Sequence, residues 1–251
     1  MVSPKEIINK ILFDKAKELH DRPREIVAFT GIPESDALLN NIEMYPHFFV
    51  LGCVMDRQIT AERAWNIPYI ISEECGGPEF ENFLTLNLDN INSIFAEKHL
   101  HKFNEKMASY FHKAIIRIHS EYKDDASEIW HLAQPDCKLV IKRFGNFPGA
   151  GQKIATMAAN ILVRDFKVPL KGVNEIDISI DSQIEKVLKR TGMVPKNASE
   201  KQIIEAARNI YPDYPKIAES LIREIGRKYC KGDFSGCDMC YLNEYCPKNQ
   251  K

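Results

Sequence analysis

The sequence predicts an all-α fold, and three observations carry that expectation. Apolar residues return at three- and four-residue spacing in nearly every segment. The two-residue alternation of strands is almost absent. Pro, Gly, Asp and Asn punctuate the helical stretches at short intervals. With 251 residues, 44% hydrophobic and 27% charged, the chain can bury one large core or two modest ones.

The elements follow in order. Over residues 5–20, Ile7, Ile8, Ile11, Leu12, Ala16 and Leu19 share one helical face. Pro33, with its preset φ and missing N–H, starts a short helix through Ile42, and Pro46 opens an apolar one over 47–55. Another helix starts over 60–65, and Cys75-Gly76-Gly77-Pro78 is the clearest loop of the first half. Leu88 and Asp89 precede a helical turn over 91–95, and residues 104–122 form a long amphipathic helix. After the break at Asp124-Asp125-Ala126, Pro135-Asp136 initiates a helix through Arg143, and a further apolar helix runs to about Val163. Residues 176–180 alternate, but beside a helical pattern that is a weak strand signal. No internal repeat or low-complexity tract is present.

Composition narrows the function classes. Residues 1–12 mix Lys and Glu with apolar residues, unlike a signal peptide. The longest apolar run, 48–55, is too short to cross a bilayer, so no membrane partner is expected. Seven cysteines, an odd number, argue against a secreted disulfide framework and for a reducing cytoplasm. The net charge of −1 hides an asymmetry: residues 1–137 carry −8 and residues 138–251 carry +7. A basic half suits a phosphate-binding surface, though segregated solvated charges would look the same.

Three motifs carry chemistry. Cys230, Cys237, Cys240 and Cys246 are spaced C-x6-C-x2-C-x5-C, close enough to converge on one soft metal centre. The C-x2-C pair alone would also fit zinc, and disulfides or unliganded thiols are the blander readings. Second, Phe147-Pro148-Gly149-Ala150-Gly151-Gln152-Lys153 joins two helices, the first carrying Lys138, Lys142 and Arg143. Its glycines permit a tight turn and leave N–H groups bare at a helix start, where a phosphate can sit. Taken alone, a plain helix connection reads the same way. Third, residues 180–187 place Asp181 ahead of Ile184 and Val187, as either a helix N-cap or a functional carboxylate.

Together these motifs resemble the endonuclease III family of base-excision glycosylases. The cysteine spacing is similar to that family's [4Fe-4S] loop, 147–155 to its helix-hairpin-helix, and 180–187 to its V-D-T-H-x-x-R-V segment. With residues 46–65, the likeness covers about 46–251, with the main motifs in family order. It implies two helical lobes with a DNA-binding cleft between them. One is a six-helix barrel-like domain over 46–165 with the hairpin at 136–163. The other is a cluster domain of 1–45 plus 166–251, its cluster loop at 230–246.

The same resemblance implies a DNA glycosylase with abasic-site lyase activity. The substrate would be double-stranded DNA bearing a damaged or modified base, by default a damaged pyrimidine. It implies a monomer with Lys153 as nucleophile and Asp181 as its electrostatic and proton-transfer partner. The chemistry suits them: a carboxylate stabilises positive charge on the sugar, and an unprotonated amine, made available by partial desolvation, can attack C1′. Gly149, Ala150, Gly151, Gln152, Lys142, Arg143, Arg57 and Gln58 are expected at the DNA. Gln58 would fill the gap left by a flipped base, and Asp56 would share the base pocket with it. A surface glutamine and an Asp56–Arg57 pair are the simpler readings there.

Two departures stand out. Lys153 and Asp181 lie further apart than the family norm, an insertion over 164–180, and Ser182-Gln183 replaces its Thr-His. Asp177 also lies nearby, but Asp181 keeps Ile184, Lys186 and Val187 in register. Alternatives are a same-fold glycosylase for a mismatched or other modified base, and a non-catalytic iron-sulfur protein that binds DNA structure.

Overall fold

The structure is a computed structural model that describes residues 2–248. Among the described residues there are thirteen α-helices and no strand, so the fold is all-α as the periodicity requires; one isolated bridge joins Asp136 and Lys171. The helices are α1 Pro4–Asp21, α2 Pro33–Asn40, α3 Pro46–Met55, α4 Ala61–Cys75, α5 Phe80–Leu84, α6 Leu88–Glu97, α7 Asn104–Tyr122, α8 Glu128–His131, α9 Cys137–Gly145, α10 Gln152–Arg164, α11 Ser182–Arg190, α12 Glu200–Ile210 and α13 Pro215–Lys228. The chain divides into a larger unit, Arg24–Lys171, and a smaller one of Met1–Pro23 with Gly172–Lys251. No described helix is long and apolar enough to cross a membrane.

The larger unit is built around α3. Every residue of this helix is buried, which suits a segment apolar on all sides rather than along one stripe. Phe49 meets the edges or faces of Trp65, Trp130, Phe144 and Phe166. A Cβ on Gly52 would lie 2.6 Å from Cε3 of Trp65, so glycine is what allows α4 to close on α3. Residues 24–45, grouped by the sequence reading with the cysteine loop, pack here instead. The reason is burial: Phe29 stacks on Trp65 at 4.5 Å, and Leu39 and Ile42 enter this core.

The smaller unit rests on α13. Its N-terminal helix, α1, begins at a capping box in which Ser3 and Glu6 satisfy each other's backbone N–H groups, and buries Ile8, Leu12 and Ala16. Helices α12 and α13 lie outside the elements anticipated above. Their signals were nevertheless present: a Ser199–Gln202 capping box starts α12, and Pro215 stands in the first turn of α13. Residues 176–180 join neither a helix nor a sheet; Ile176 and Ile178 are buried from an irregular stretch.

Candidate functional site

The hairpin between α9 and α10 is shaped by two glycines with different reasons to be there. Gly149 has φ +94°, and a Cβ on it would lie 2.6 Å from Cδ2 of Tyr110 and 3.3 Å from Nη1 of Arg57, so both conformation and space demand glycine. Gly151 has ordinary extended geometry, and a Cβ there would meet nothing within 4 Å. The fold therefore does not need glycine at 151. What glycine leaves is an N-cap without a side chain, so the first-turn N–H groups of α10 have no side-chain partner. Gly151, Gln152 and Lys153 are all exposed around this bare helix start, while Ala150 is buried and anchors the turn.

Lys153 stands in that first turn. Its side chain is exposed, whereas the resemblance implies a partly desolvated lysine. Its ammonium interacts electrostatically with Asp56, which sits just past the end of α3, half-buried and accepting a hydrogen bond from Nε1 of Trp65 at 3.3 Å. Burial pushes the Asp56 carboxyl up. The Trp65 indole and the Lys153 charge pull against that, and the net position remains above the usual aspartate value.

Arg57 and Asp56 turn to other partners rather than to each other. Arg57 Nη1 donates to the carbonyl of Gly149 at 2.9 Å, and its guanidinium lies over the Tyr110 ring at 5.9 Å. The residue expected at DNA therefore ties the turn after α3 to the hairpin. Gln58 is exposed with φ +56°, an uncommon backbone for a side chain of this size. The turn is held by buried His101. Its Nδ1 accepts from the Phe103 N–H at 3.0 Å, which leaves Nε2–H to donate to the Arg57 carbonyl at 2.9 Å. A cavity of about 120 Å³ opens beside them, lined by Arg57, Gln58, His101, Phe103, Lys106 and Met107. Lys142 is exposed. Arg143 is engaged within the fold: its guanidinium donates to the carbonyls of Ile129 at 2.9 Å and Leu132 at 3.0 Å, capping α8.

In the smaller unit, Asp181 caps α11. Its Oδ1 accepts from the N–H groups of Gln183 and Ile184, each at 3.0 Å, and its Oδ2 from Nε of Arg223 at 2.7 Å. Burial pushes this carboxyl up, but the Ile184 N–H, Arg223 and the Gln183 N–H outweigh it, and the group lies below the usual aspartate range. Asp177, the rival in sequence, is an exposed partner of Arg208 at 2.6 Å. A Cβ on Gly226 would lie 2.8 Å from Cβ of Gln183, so α11 and α13 touch closely there. Lys186, in the position of the motif's basic residue, donates to the Gly226 carbonyl at 3.3 Å and to Gln183 at 2.7 Å.

The four cysteines of the C-terminal loop are free thiols, each half-buried. Burial raises Cys240, its bond from the Leu242 N–H opposes that, and Cys246, Cys230 and Cys237 raise it further; Cys246 likewise feels Cys230 and Cys237. The sulfurs thus share one electrostatic neighbourhood. Gly236 permits the loop to close, since a Cβ there would lie 2.8 Å from Cα of Tyr229. Arg190 borders the group, an element the motif reading missed because it lies on α11. Its Nη1 donates to Cys230 Sγ at 3.6 Å, its carbonyl accepts from Cys246 Sγ at 3.6 Å, and its guanidinium covers Phe234 at 4.6 Å. Among the described residues, no three His, Cys, Asp or Glu side chains form a group that could hold a metal ion as they stand.

This architecture is the fold of the endonuclease III-like DNA glycosylases. The chain superposes on a trapped endonuclease III–DNA covalent intermediate, an estranged-adenine complex, with a TM-score of 0.53 and 19% identity, over 99% of this chain and 97% of that one. A non-covalent endonuclease III–DNA complex gives 0.53 and 18% over the same shares. A thermostable thymine-DNA glycosylase gives 0.56 and 13%, over 96% of this chain and 95% of that one. In sequence, the chain is 27% identical to endonuclease III of Rickettsia prowazekii (strain Madrid E) over 124 residues, 44% of this chain. The match spans about half of that relative, 52% of its length. No protein-family model matches the chain.

Proposed function

We propose that this protein is a DNA glycosylase with abasic-site lyase activity, acting as a monomer on duplex DNA in the cytoplasm. The observation that carries the reading is Lys153, exposed in the first turn of an uncapped helix that follows a glycine hairpin. A duplex phosphate bound to the bare N–H groups would bring the strand to this amine. DNA covering an exposed lysine would also supply the desolvation that favours its neutral form.

In that reading the Lys153 nitrogen attacks C1′ of the damaged nucleotide. The glycosidic bond breaks with its electron pair going to the base, which takes up the proton the attacking amine gives up. The nitrogen lone pair then opens the sugar ring to a protonated imine, the freed ring oxygen taking a proton from water. Loss of a C2′ proton then expels the 3′ phosphate. Asp181 stabilises positive charge on the sugar, and Asp56 reads the base. Complexes of endonuclease III with DNA among similar structures support DNA as the partner. The likeness to a thymine-DNA glycosylase supports a second reading in which the excised base is a thymine rather than a damaged base.

Cys230, Cys237, Cys240 and Cys246 are the residues that would hold a [4Fe-4S] cluster. Four thiolates are the donor set of a cubane, each binding a different iron, and the same set would also suit a zinc ion. Once bound, such a group would brace the loop through four iron–sulfur bonds. Anaerobically purified protein should be brown and carry about four irons per chain; a colourless, zinc-loaded, active preparation would overturn the cluster. For the activity, a panel of duplexes, each with one modified or mismatched base, is incubated with borohydride. One substrate should yield a covalent protein–DNA adduct that Lys153→Ala abolishes while duplex binding persists. An adduct that survives the substitution, or none with any duplex, overturns the assignment.

A further inference from the structure

Lys216, Glu219 and Arg223 stand at i, i+3 and i+7 on α13, and so share one face of it. They form a chain of alternating charge that ends on Asp181. Lys216 Nζ lies 2.5 Å from Glu219 Oε2, Arg223 Nη1 lies 2.8 Å from Glu219 Oε1, and Arg223 Nε lies 2.7 Å from Asp181 Oδ2. Lys216 and Glu219 are buried, at 5% and 4% exposure, where an ion survives only if it is paired. Ser179 locks the same face from the irregular stretch before α11: its N–H donates to Glu219 at 2.6 Å, and its hydroxyl accepts from Lys216 at 2.9 Å. Glu219, buried and bonded at both oxygens, holds one arm of the Arg223 guanidinium. The Nε of that guanidinium meets Asp181.

We propose that Arg223 is a positioning residue for base release, and that the Lys216–Glu219–Arg223 chain holds Asp181 ionised with Oδ2 as its working oxygen. The assignment rests on the functional reading above and names a part of that site which the motifs do not contain. Oδ1 is saturated by the two N–H groups of the α11 cap, whereas Oδ2 has Arg223 and a remaining lone pair. The groups that face Asp181 are few. Its own helix supplies the Gln183 and Ile184 N–H groups, and α13 supplies Arg223 with Glu219 behind it. Asp177, on the irregular stretch, is turned to Arg208 of α12. A carboxylate so held stabilises a sugar cation by its fixed charge, and serves less as a proton acceptor because its basicity is reduced.

The test compares wild type, Arg223→Gln and Arg223→Lys in the metal-loaded, full-length protein, each checked for a cooperative melt. Carbon-13 NMR of the Asp181 side-chain carboxyl is followed against pH without DNA, and single-turnover base release is followed against pH with it. Arg223→Gln keeps a donor but removes the charge, so the Asp181 midpoint should rise and the acid limb of base release should move to higher pH with it. Arg223→Lys should return both toward wild type. An Asp181 midpoint unmoved in Arg223→Gln overturns the proposal, as does a loss of rate that is equal at all pH values. Failure of the functional reading looks different: wild-type protein releases no base at any pH, while the carboxyl titration still decides the role of Arg223.

Discussion

Asp56 in the larger unit and Asp181 in the smaller are both half-buried, and the two are driven in opposite directions. Asp56 of the larger unit lies past a wholly buried helix, with one indole N–H at 3.3 Å and a lysine acting only from a distance. Burial wins there, and its carboxyl rises. Asp181 of the smaller unit suffers burial too, but two backbone N–H groups and a guanidinium in direct contact outweigh it. The lesson is that burial alone does not decide the charge of a carboxylate; the number and charge of the donors in contact do. In the proposed reaction the two carboxylates would do different work, Asp181 as a fixed negative charge and Asp56 as the group whose hydrogen bonding to a base can change.

The comparison breaks most visibly in the chemical step. Asp181→Asn keeps size and removes charge, and should slow base release by about 10²–10³-fold, the usual cost of removing a transition-state electrostatic partner. Asp177→Asn removes only an exposed ion pair and should leave the rate within about twofold. A crippling Asp177→Asn beside a harmless Asp181→Asn in single-turnover assays would reverse the roles given to these residues.

Acid should separate the units in a stability measurement. His47, buried in the larger unit with its Nε2–H on the Pro78 carbonyl at 2.8 Å, has its pKa lowered by burial to about 4. Its folded value lies below the unfolded one of about 6.5, so the unfolded chain binds the proton first, and stability is lost as pH falls from about 6.5 toward 4. For one fully buried imidazole that loss reaches about 3 kcal/mol, and His47→Asn should flatten it in urea melts across this window. Asp181, also lowered, contributes stability above its unfolded value of about 3.9 and loses it only below that, as pH falls through the folded value.

The two hairpin glycines sharpen the contrast between fold and site. Gly149→Ala should destabilise by about 1–3 kcal/mol, because a Cβ at φ +94° collides with Tyr110. Gly151→Ala should be nearly neutral in the same melts. Gly151→Asp should instead weaken binding to all duplexes and flatten its salt dependence, since it places a carboxylate where a phosphate would sit. Asp56→Asn keeps an acceptor for Trp65. It should shift discrimination among bases by about 1–3 kcal/mol in competition assays while leaving the lysine adduct intact.

By itself the sequence determined the all-α class, most helix starts and the three motifs, because these rest on local causes. Helical spacing, proline at first turns, capping residues and cysteine intervals are all set within a few residues of chain. The helices α12 and α13 were equally legible from Ser199, Gln202 and Pro215, and lay outside the motif-led reading. The placement of residues 24–45, decided by Phe29 on Trp65, was not. Nor was the turning of Arg57 to Gly149 and of Arg143 to the end of α8, since a sequence shows that a guanidinium exists but not which carbonyls lie within its reach. Tertiary structure alone decided the difference between Asp56 and Asp181. That difference comes from Arg223, 42 residues beyond Asp181, and from how much water each carboxylate retains, quantities that exist only once the helices have packed.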